Sequence, residues 1–270
     1  MTTTADPGTV DDEPVSGARR SAPSRPSALT ATVPRLVRRL TAEFTGTAFL
    51  VAGVVGSGIM AQRLTDDRGL QLLQNAAATA GVLVALILAL GPASGAHFNT
   101  AVTLVDRAFG GIETSTAALY IVAQVAGAIV GAMAANAMFD LPLVEWSTTS
   151  RSGADLWLAE GIATLGLLVV IFGVVRSGRS ALAAFAVAGY IAGAYYFTSS
   201  TSFANPAVTI GRAFSNTFAG IEPASVPMFI VAQLVGAAAA TGLILVLYPR
   251  VADVAEDVVV PHRDEDTGER

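Results

Sequence analysis

Two asparagines are the residues of this sequence best suited to hydrogen-bond a polar solute. They open the short motifs NTAV at 99–102 and NPAV at 205–208. The members of the two motifs are Asn99, Thr100 and Ala101, and Asn205, Pro206 and Ala207. Asparagine is among the best helix N-caps, and proline suits the first helical position. Each motif therefore predicts the start of a short helix, with an amide donor at its positive N-terminal end.

Residues for covalent, redox or metal chemistry are scarce. The chain has no cysteine and two histidines, which excludes disulfides and thiolate chemistry and makes a histidine-rich metal site implausible. His97 follows a small-residue stretch and has no nucleophile beside it. We therefore expect no catalytic residue, no metal and no cofactor. The net charge of −5 also argues against a nucleic-acid partner.

The composition indicates that lipid surrounds most of the chain. Hydrophobic residues make up 53% and charged residues 14% of it, against about 25% charged in a soluble domain. Six stretches are long and apolar enough to cross a bilayer. They are 41–61, 72–91, 115–138, 156–175, 180–200 and 226–248. Two shorter apolar pieces, 98–105 and 205–211, contain the asparagine motifs and are predicted to be re-entrant.

The polar ends of the chain define its domains and its orientation. Residues 1–35 are predicted to be a disordered cytoplasmic tail, 36–249 the membrane domain, and 250–270 an acidic cytoplasmic tail. Arginines concentrate on the side of the membrane where the chain begins. They are Arg35, Arg38, Arg39, Arg107, Arg176 and Arg179. By the positive-inside rule, both termini are cytoplasmic.

An internal repeat relates the two halves of the membrane domain. Three motifs of the first half recur in the same order in the second half. The matched segments are 42–47 with 159–164, 97–113 with 203–222, and 120–132 with 229–241. Each half then has three spans, an odd number, so the halves must be inserted upside down relative to each other. Repeat one covers about 41–138 and repeat two about 156–248. The two re-entrant helices are then expected to meet near the midplane with their N-termini facing each other. The positive ends of two helices at one point favour neutral solutes over cations.

At these motifs the sequence resembles the major intrinsic protein family, the aquaporins and glycerol facilitators. The resemblance covers about 41–248 and rests on SGAHFNTAV, NPAV, the paired AE dipeptides and the VAQ of spans three and six. It implies an all-α membrane protein with six transmembrane helices and two re-entrant half-helices in an inverted repeat. It also implies a channel rather than an enzyme, and a homotetramer in the cell membrane with one pore per protomer.

The resemblance implies roles for several further residues. The acids of spans one and four would be buried and would hold the half-helix loops through backbone N–H groups. Three residues before the first motif would expose carbonyl groups to the pore, and two glutamines would brace the loops. The two acids are Glu43 and Glu160, the three residues before the first motif are Gly95, Ala96 and His97, and the two glutamines are Gln124 and Gln233.

The expected selectivity filter departs from the pattern of most of the family. There the second motif continues with an arginine, which forms a narrow outer filter with an aromatic residue from span two and often a histidine from span five. Here Val208 stands at the arginine position. Ungapped counting from the asparagines puts Thr79, Gly193 and Ser202 at the remaining positions. This filter would have no ring, imidazole or guanidinium, and would resemble that of bacterial metalloid channels that lack the arginine.

Three residues near the second motif have two possible roles. Arg212 lies one helical turn beyond Val208 and could reach the pore mouth, although we favour an interfacial anchor or a salt bridge to Glu222. Tyr195 and Tyr196 could narrow the mouth, although we favour an interfacial aromatic belt.

We therefore expect a passive channel for small uncharged solutes, which together with membrane lipids are its expected partners. The resemblance favours neutral arsenic(III) and other metalloid acids, along with water or glycerol. A general glycerol and water facilitator is the alternative within the family. An ion-coupled secondary transporter is the alternative outside it, because inverted repeats and broken helices also suit transporters.

Overall fold

The structure, a computed structural model, describes residues 1–3 and 33–249 of the chain. All its helices belong to one compact unit that begins at Pro34. The two predicted tails, 1–35 and 250–270, lie almost wholly outside the described residues.

The described residues form eight α-helices and no strand. The helices are α1 (Arg35–Leu64), α2 (Arg68–Ser94), α3 (Thr100–Phe109), α4 (Thr114–Met138), α5 (Ala154–Arg176), α6 (Ala183–Phe197), α7 (Pro206–Arg212) and α8 (Val226–Leu247). One turn of 3₁₀ helix precedes α6 at Ser180–Leu182, and another precedes α8 at Pro223–Ser225.

Six of these helical segments are long and apolar enough to cross a membrane, which confirms the predicted spans. The other two, α3 and α7, have 10 and 7 residues and are too short to cross. The largest difference in bounds is at α1. It begins at Arg35 instead of 41, because basic residues at a helix end can extend beyond the apolar region toward water.

The helices repeat as two sets of four, α1–α4 and α5–α8. In the first set α1 packs against α2 and α4, and in the second set α5 packs against α6 and α8. The sets are joined at the centre, where α3 contacts α7 and α8, and α7 contacts α4. This arrangement is the predicted inverted repeat with two half-helices.

Glycines allow the closest helix crossing in each repeat. On α4, Gly127 and Gly131 lie directly against the backbone carbonyls of Phe44 and Ala48 on α1. On α8, Gly236 lies in the same way against the carbonyl of Gly161 on α5. A methyl group at any of these glycines would overlap a carbonyl oxygen, which cannot move without moving its helix. Small residues at such spacings let membrane helices approach closely.

We expect Gly131→Ala to lower the free energy of unfolding by about 1–3 kcal/mol, because the added carbon overpacks the α1–α4 crossing. The matched control is Gly242→Ala on α8, where an added carbon meets no atom within 4 Å. That control gains helix propensity and should be neutral or slightly stabilising. Thermal unfolding of both variants in detergent measures the difference. Equal melting temperatures would contradict this account of the crossing.

Candidate functional site

A cavity of about 60 Å³ lies where the N-termini of α3 and α7 meet. Since a water molecule needs roughly 10–15 Å³ of such volume, the cavity has room for about four to six waters. Most of its wall is aliphatic and comes from both repeats. These residues are Leu50, Val54, Leu83, Ile87, Val102, Leu167, Ile171, Val187, Ile191 and Val208.

Polar side chains cluster at defined places in this wall. Asn99 and Asn205 lie at the helix N-termini. We call the end bordered by Ala96 and His97 the first mouth. The opposite end, the second mouth, is bordered by Thr79, Tyr195, Ser202, Val208 and Arg212.

The chain enters each half-helix through a loop with unusual backbone angles. Three residues before each asparagine have positive φ, at equivalent positions in the two loops. The angles are +86° at Gly95, +50° at Ala96 and +44° at Phe98, and +62° at Thr201, +50° at Ser202 and +48° at Ala204. Only the first of these six residues is a glycine, and positive φ is costly for the others. Surrounding contacts must therefore hold both loops in place.

Glu43 holds the first loop. It is fully buried, and its Oε1 accepts hydrogen bonds from Ser94 Oγ (2.7 Å) and the His97 N–H (3.0 Å). Its Oε2 accepts from the Phe98 N–H and from Gln124 Nε2, both at 2.8 Å. Three of the four partners, the two backbone N–H groups and Gln124 Nε2, can only donate, so none of them could accept a proton from this carboxyl group. The hydrogen bonds therefore favour the ionised form.

Glu160 holds the second loop with the same set of partners. It accepts from Ser200 Oγ (2.6 Å), from the N–H groups of Phe203 (2.8 Å) and Ala204 (2.9 Å), and from Gln233 Nε2 (2.6 Å). Two buried carboxylates, one per repeat, thus bind the backbone donors that a loop inside a membrane would otherwise leave unpaired.

The asparagines cap the half-helices and link them to each other. Asn99 Oδ1 accepts from the Ala101 N–H at 2.8 Å, and Asn205 Oδ1 accepts from the Ala207 N–H at 3.1 Å. Asn99 Nδ2 donates to the Ala204 carbonyl (2.8 Å), and Asn205 Nδ2 donates to that of Phe98 (2.7 Å). An amide nitrogen carries two protons, so each keeps a second N–H for a solute in the cavity.

Thr100, which stands where the second repeat has Pro206, makes a contact that proline cannot make. Its Oγ1 donates to Gln124 Oε1 at 3.1 Å. The equivalent Gln233 Oε1 is buried without a hydrogen-bond partner among the described residues. Thr100 therefore lacks the fixed φ of proline but provides a hydrogen bond to the buried Gln124 Oε1.

We expect Thr100→Val to lower the free energy of unfolding by about 1–2 kcal/mol, because it leaves Gln124 Oε1 buried and unpaired. Thr47→Val is the matched control, since Thr47 is also buried and its hydroxyl has no partner among the described residues. The control should be neutral or stabilising. Chemical denaturation of both variants in micelles tests this. A Thr100→Val variant as stable as the wild type would mean that the hydrogen bond contributes nothing.

The second mouth differs from the predicted filter in two respects, and the first is the residue that α6 contributes. Gly193 is exposed on the outside of α6 and does not line the cavity, whereas Tyr195 is buried and does. Two residues along a helix correspond to about 200° of rotation, so these positions lie on nearly opposite faces. The Tyr195 hydroxyl lies 3.1 Å from Thr79 Oγ1, within hydrogen-bond distance. Tyr195 therefore corrects the expectation of a filter without an aromatic ring. Tyr196 is 53% exposed and points away from the cavity.

Arg212 corrects the expectation of a filter without a guanidinium. It borders the cavity and is only 2% exposed, so it is not an interfacial anchor. Its Nε donates to the Ala219 carbonyl, and its guanidinium carbon lies 3.3 Å from the ring centroid of Phe203. The described residues show no ion pair between Arg212 and Glu222.

Arg151 is a contributor that the sequence did not reveal. It lies in the connection between α4 and α5, and its Nε donates to the Gly220 carbonyl at 2.8 Å. Its guanidinium carbon lies 4.9 Å from the centroid of the same Phe203 ring that contacts Arg212. Nothing in its local sequence marks it, because its partners come from distant loops.

The first mouth contains two of the three residues expected to offer carbonyl groups. Ala96 and His97 line the cavity, but Gly95 does not. Gly95 instead ends α2 with its left-handed backbone, and its N–H donates to the Gly91 carbonyl at 2.8 Å. The described residues contain no group of three or more His, Cys, Asp or Glu that could hold a metal ion.

Six spans, two half-helices joined at asparagine caps and a mainly aliphatic cavity with a few polar groups between them define a membrane channel. The family model described as major intrinsic protein matches residues 30–194 and, in a second match, 157–268. The chain belongs to the major intrinsic protein family, and it is a multi-pass membrane channel rather than an enzyme.

Individual relatives agree with this assignment. The chain is 50% identical over 208 residues to aquaglyceroporin AqpS of Rhizobium meliloti (strain 1021), covering 77% of this chain and 89% of that one. It is 33% identical over 147 residues to aquaporin NIP6-1 of Arabidopsis thaliana, covering 54% of this chain and 47% of the plant protein. The crystal structure of the aquaglyceroporin from Plasmodium falciparum matches 80% of this chain and 98% of its own, with a TM-score of 0.61 and 22% identity, which supports the fold.

Proposed function

We propose that this channel passively conducts small uncharged solutes, namely neutral metalloid acids such as arsenous acid together with glycerol and water. The observation that carries the proposal is the composition of the second mouth. Hydroxyl groups of Thr79, Tyr195 and Ser202 border the cavity beside the apolar Val208. Ser202 Oγ is buried with no hydrogen-bond partner among the described residues, so the protein leaves the hydrogen-bonding capacity of this hydroxyl unused.

This mouth suits a small solute with several hydroxyl groups. Glycerol and arsenous acid each carry three hydroxyl groups and no charge. They can therefore exchange hydrogen bonds with water for hydrogen bonds with hydroxyl groups, and they avoid the large desolvation cost of an ion. The name of the 50% identical relative, an aquaglyceroporin, supports glycerol as one solute. Val208, at a position where most of the family has arginine, supports a passage wider than that of a strict water channel.

Arg212 supplies a positive charge at this mouth. Arg212 lies four residues beyond Val208 on the same helix, which is about 6 Å along its axis. A guanidinium there repels cations without occupying the position of the Val208 side chain.

We further propose that the channel lies in the cell membrane with both termini in the cytoplasm, as the arginine distribution favours. The second mouth then opens outward. Four copies would assemble as a homotetramer with one pore in each, as the family resemblance implies.

Stopped-flow permeability of the full chain in liposomes tests the cargo. Wild type should conduct water, glycerol and arsenous acid. Val208→Arg should keep water flux but lower the flux of both larger solutes at least about tenfold, an added barrier of about 1.4 kcal/mol. Val208→Leu, which adds bulk without charge, is the matched control and should lower them less.

Three results would contradict the proposal. A wild type that conducts water alone would mean that Tyr195 and Thr79 close the second mouth to larger solutes. Solute flux that follows an imposed pH gradient would instead favour the ion-coupled transporter. Glycerol flux without arsenous acid flux would leave a general glycerol and water facilitator.

A further inference from the structure

The half-helices carry opposite charges at equivalent positions. Asp106 follows Asn99 by seven residues, and Arg212 follows Asn205 by the same number. Each is 2% exposed, and each contacts the ring that lies two residues before its asparagine. Arg212 contacts Phe203, whereas Asp106 Oδ2 lies 3.5 Å from Nε2 of His97.

The surroundings of the two rings are also equivalent. His97 packs edge-to-face against Tyr120, with 5.4 Å between ring centroids. Phe203 packs in the same manner against Phe229 at 5.2 Å. The imidazole thus occupies the place of a phenyl ring in an otherwise repeated arrangement, and it borders the first mouth.

Hydrogen-bond geometry determines where the imidazole carries a proton. His97 Nδ1 lies 3.0 Å from Thr103 Oγ1. That hydroxyl donates its one proton to the Asn99 carbonyl at 3.1 Å and accepts from Gln124 Nε2 at 2.9 Å. The equivalent Thr209 donates to the Asn205 carbonyl at 2.8 Å, so this direction is a property of both repeats. Nδ1 must therefore be the donor to Thr103.

A proton on Nδ1 leaves Nε2 facing the carboxyl group of Asp106. A lone pair there would face an oxygen of a carboxylate, whereas a second N–H would form an ion pair with it. Asp106 Oδ1 is buried with no partner among the described residues, so an opposite charge on its neighbour stabilises it.

With both nearby carboxyl groups ionised, the nearby charges balance only when the imidazole is protonated. Titratable and charged groups near it in the described contacts include Asp106 on α3, Glu43 and Arg39 on α1, and Tyr120 on α4. Glu43 accepts the backbone N–H of His97 at 3.0 Å, and Arg39 donates to the Tyr120 hydroxyl at 2.6 Å and acts electrostatically on Asp106. Two carboxylates and one guanidinium leave one negative charge, which an imidazolium neutralises.

We propose that Asp106 keeps His97 protonated, so that an imidazolium at the first mouth is a second electrostatic barrier against cations. Asp106 is the positioning residue, and His97 is the specificity-determining group that borders the path. The pair complements Arg212 at the other end, and both act whichever neutral solute the channel carries.

Nitrogen NMR of ¹⁵N-histidine-labelled full-length protein in lipid nanodiscs tests the protonation directly. The chain has two histidines, so a His262→Gln variant assigns both signals. His97 should be an imidazolium at pH 7.5, with a titration midpoint at least about one pH unit above the ordinary value of about 6.5. A neutral His97 at pH 6.5 would overturn the proposal, and this result needs no variant of the site.

The contribution of Asp106 is tested by Asp106→Asn, which should lower the titration midpoint of His97 by at least about one pH unit. It should also raise potassium leak into liposomes several-fold at pH 7.5, with glycerol flux retained. Asp106→Glu should restore both wild-type values. Asp140→Asn, on an exposed residue away from the cavity, is the matched control and should change neither.

An unchanged midpoint in Asp106→Asn would overturn the role of Asp106. A lowered midpoint without added potassium leak would overturn the barrier. Because glycerol flux is measured alongside, a failure of the proposed channel function would appear separately as lost solute flux.

Discussion

A backbone that reverses direction inside a membrane must have its N–H groups bonded by the protein, and this requirement governs the whole molecule. Glu43 and Glu160 meet it with two backbone acceptor contacts each. A buried carboxylate is costly alone, but four donors around each one compensate for the lost water. The positive-φ loops, the direction of the half-helices and the meeting of the asparagines all depend on these two side chains.

The two repeats share the residues that hold the loops and differ in those that face the solute. Both have a Glu, a Ser, a Gln and a Thr in equivalent hydrogen bonds. They differ in the pairs Ala96 and Ser202, His97 and Phe203, and Asp106 and Arg212. Symmetry therefore distinguishes scaffold from function, because a side chain freed from holding a loop can specialise for its own mouth.

The sequence predicted the features that the repeat marks twice. The spans, the half-helices and the residues of the two motifs follow from recurring letters. The filter residue on α6 did not follow, because that span has no recurring polar marker, and an error of two residues moves the position from one face to the other.

Arg212 shows how matching letters can mislead. The letters RAF occur at 107–109 and 212–214, which suggests that Arg107 and Arg212 are equivalent. Counting from the asparagines instead pairs Arg212 with Asp106. The structure agrees with the count, since Arg107 is exposed and bonds Thr114, whereas Arg212 and Asp106 are both buried against a ring. The half-helices start at the same point but differ in length, so only positions near the asparagines keep their register.

The position of Arg212 separates two properties that one residue usually combines. An arginine next to the second motif would both narrow the passage and repel cations. Under the proposed filter, Val208 sets the width, while charge is supplied one turn away by a guanidinium fixed on Phe203 and the Ala219 carbonyl. Arg151, in the connection between α4 and α5, adds a second positive charge on the same Phe203 ring and donates to the Gly220 carbonyl. Carbonyl groups accept the hydrogen bonds of both guanidiniums, and the buried Glu160 carboxylate acts on them electrostatically without a direct ion pair among the described residues. Positive charge therefore remains at a mouth whose width is set elsewhere, and that mouth can be wide and still exclude cations.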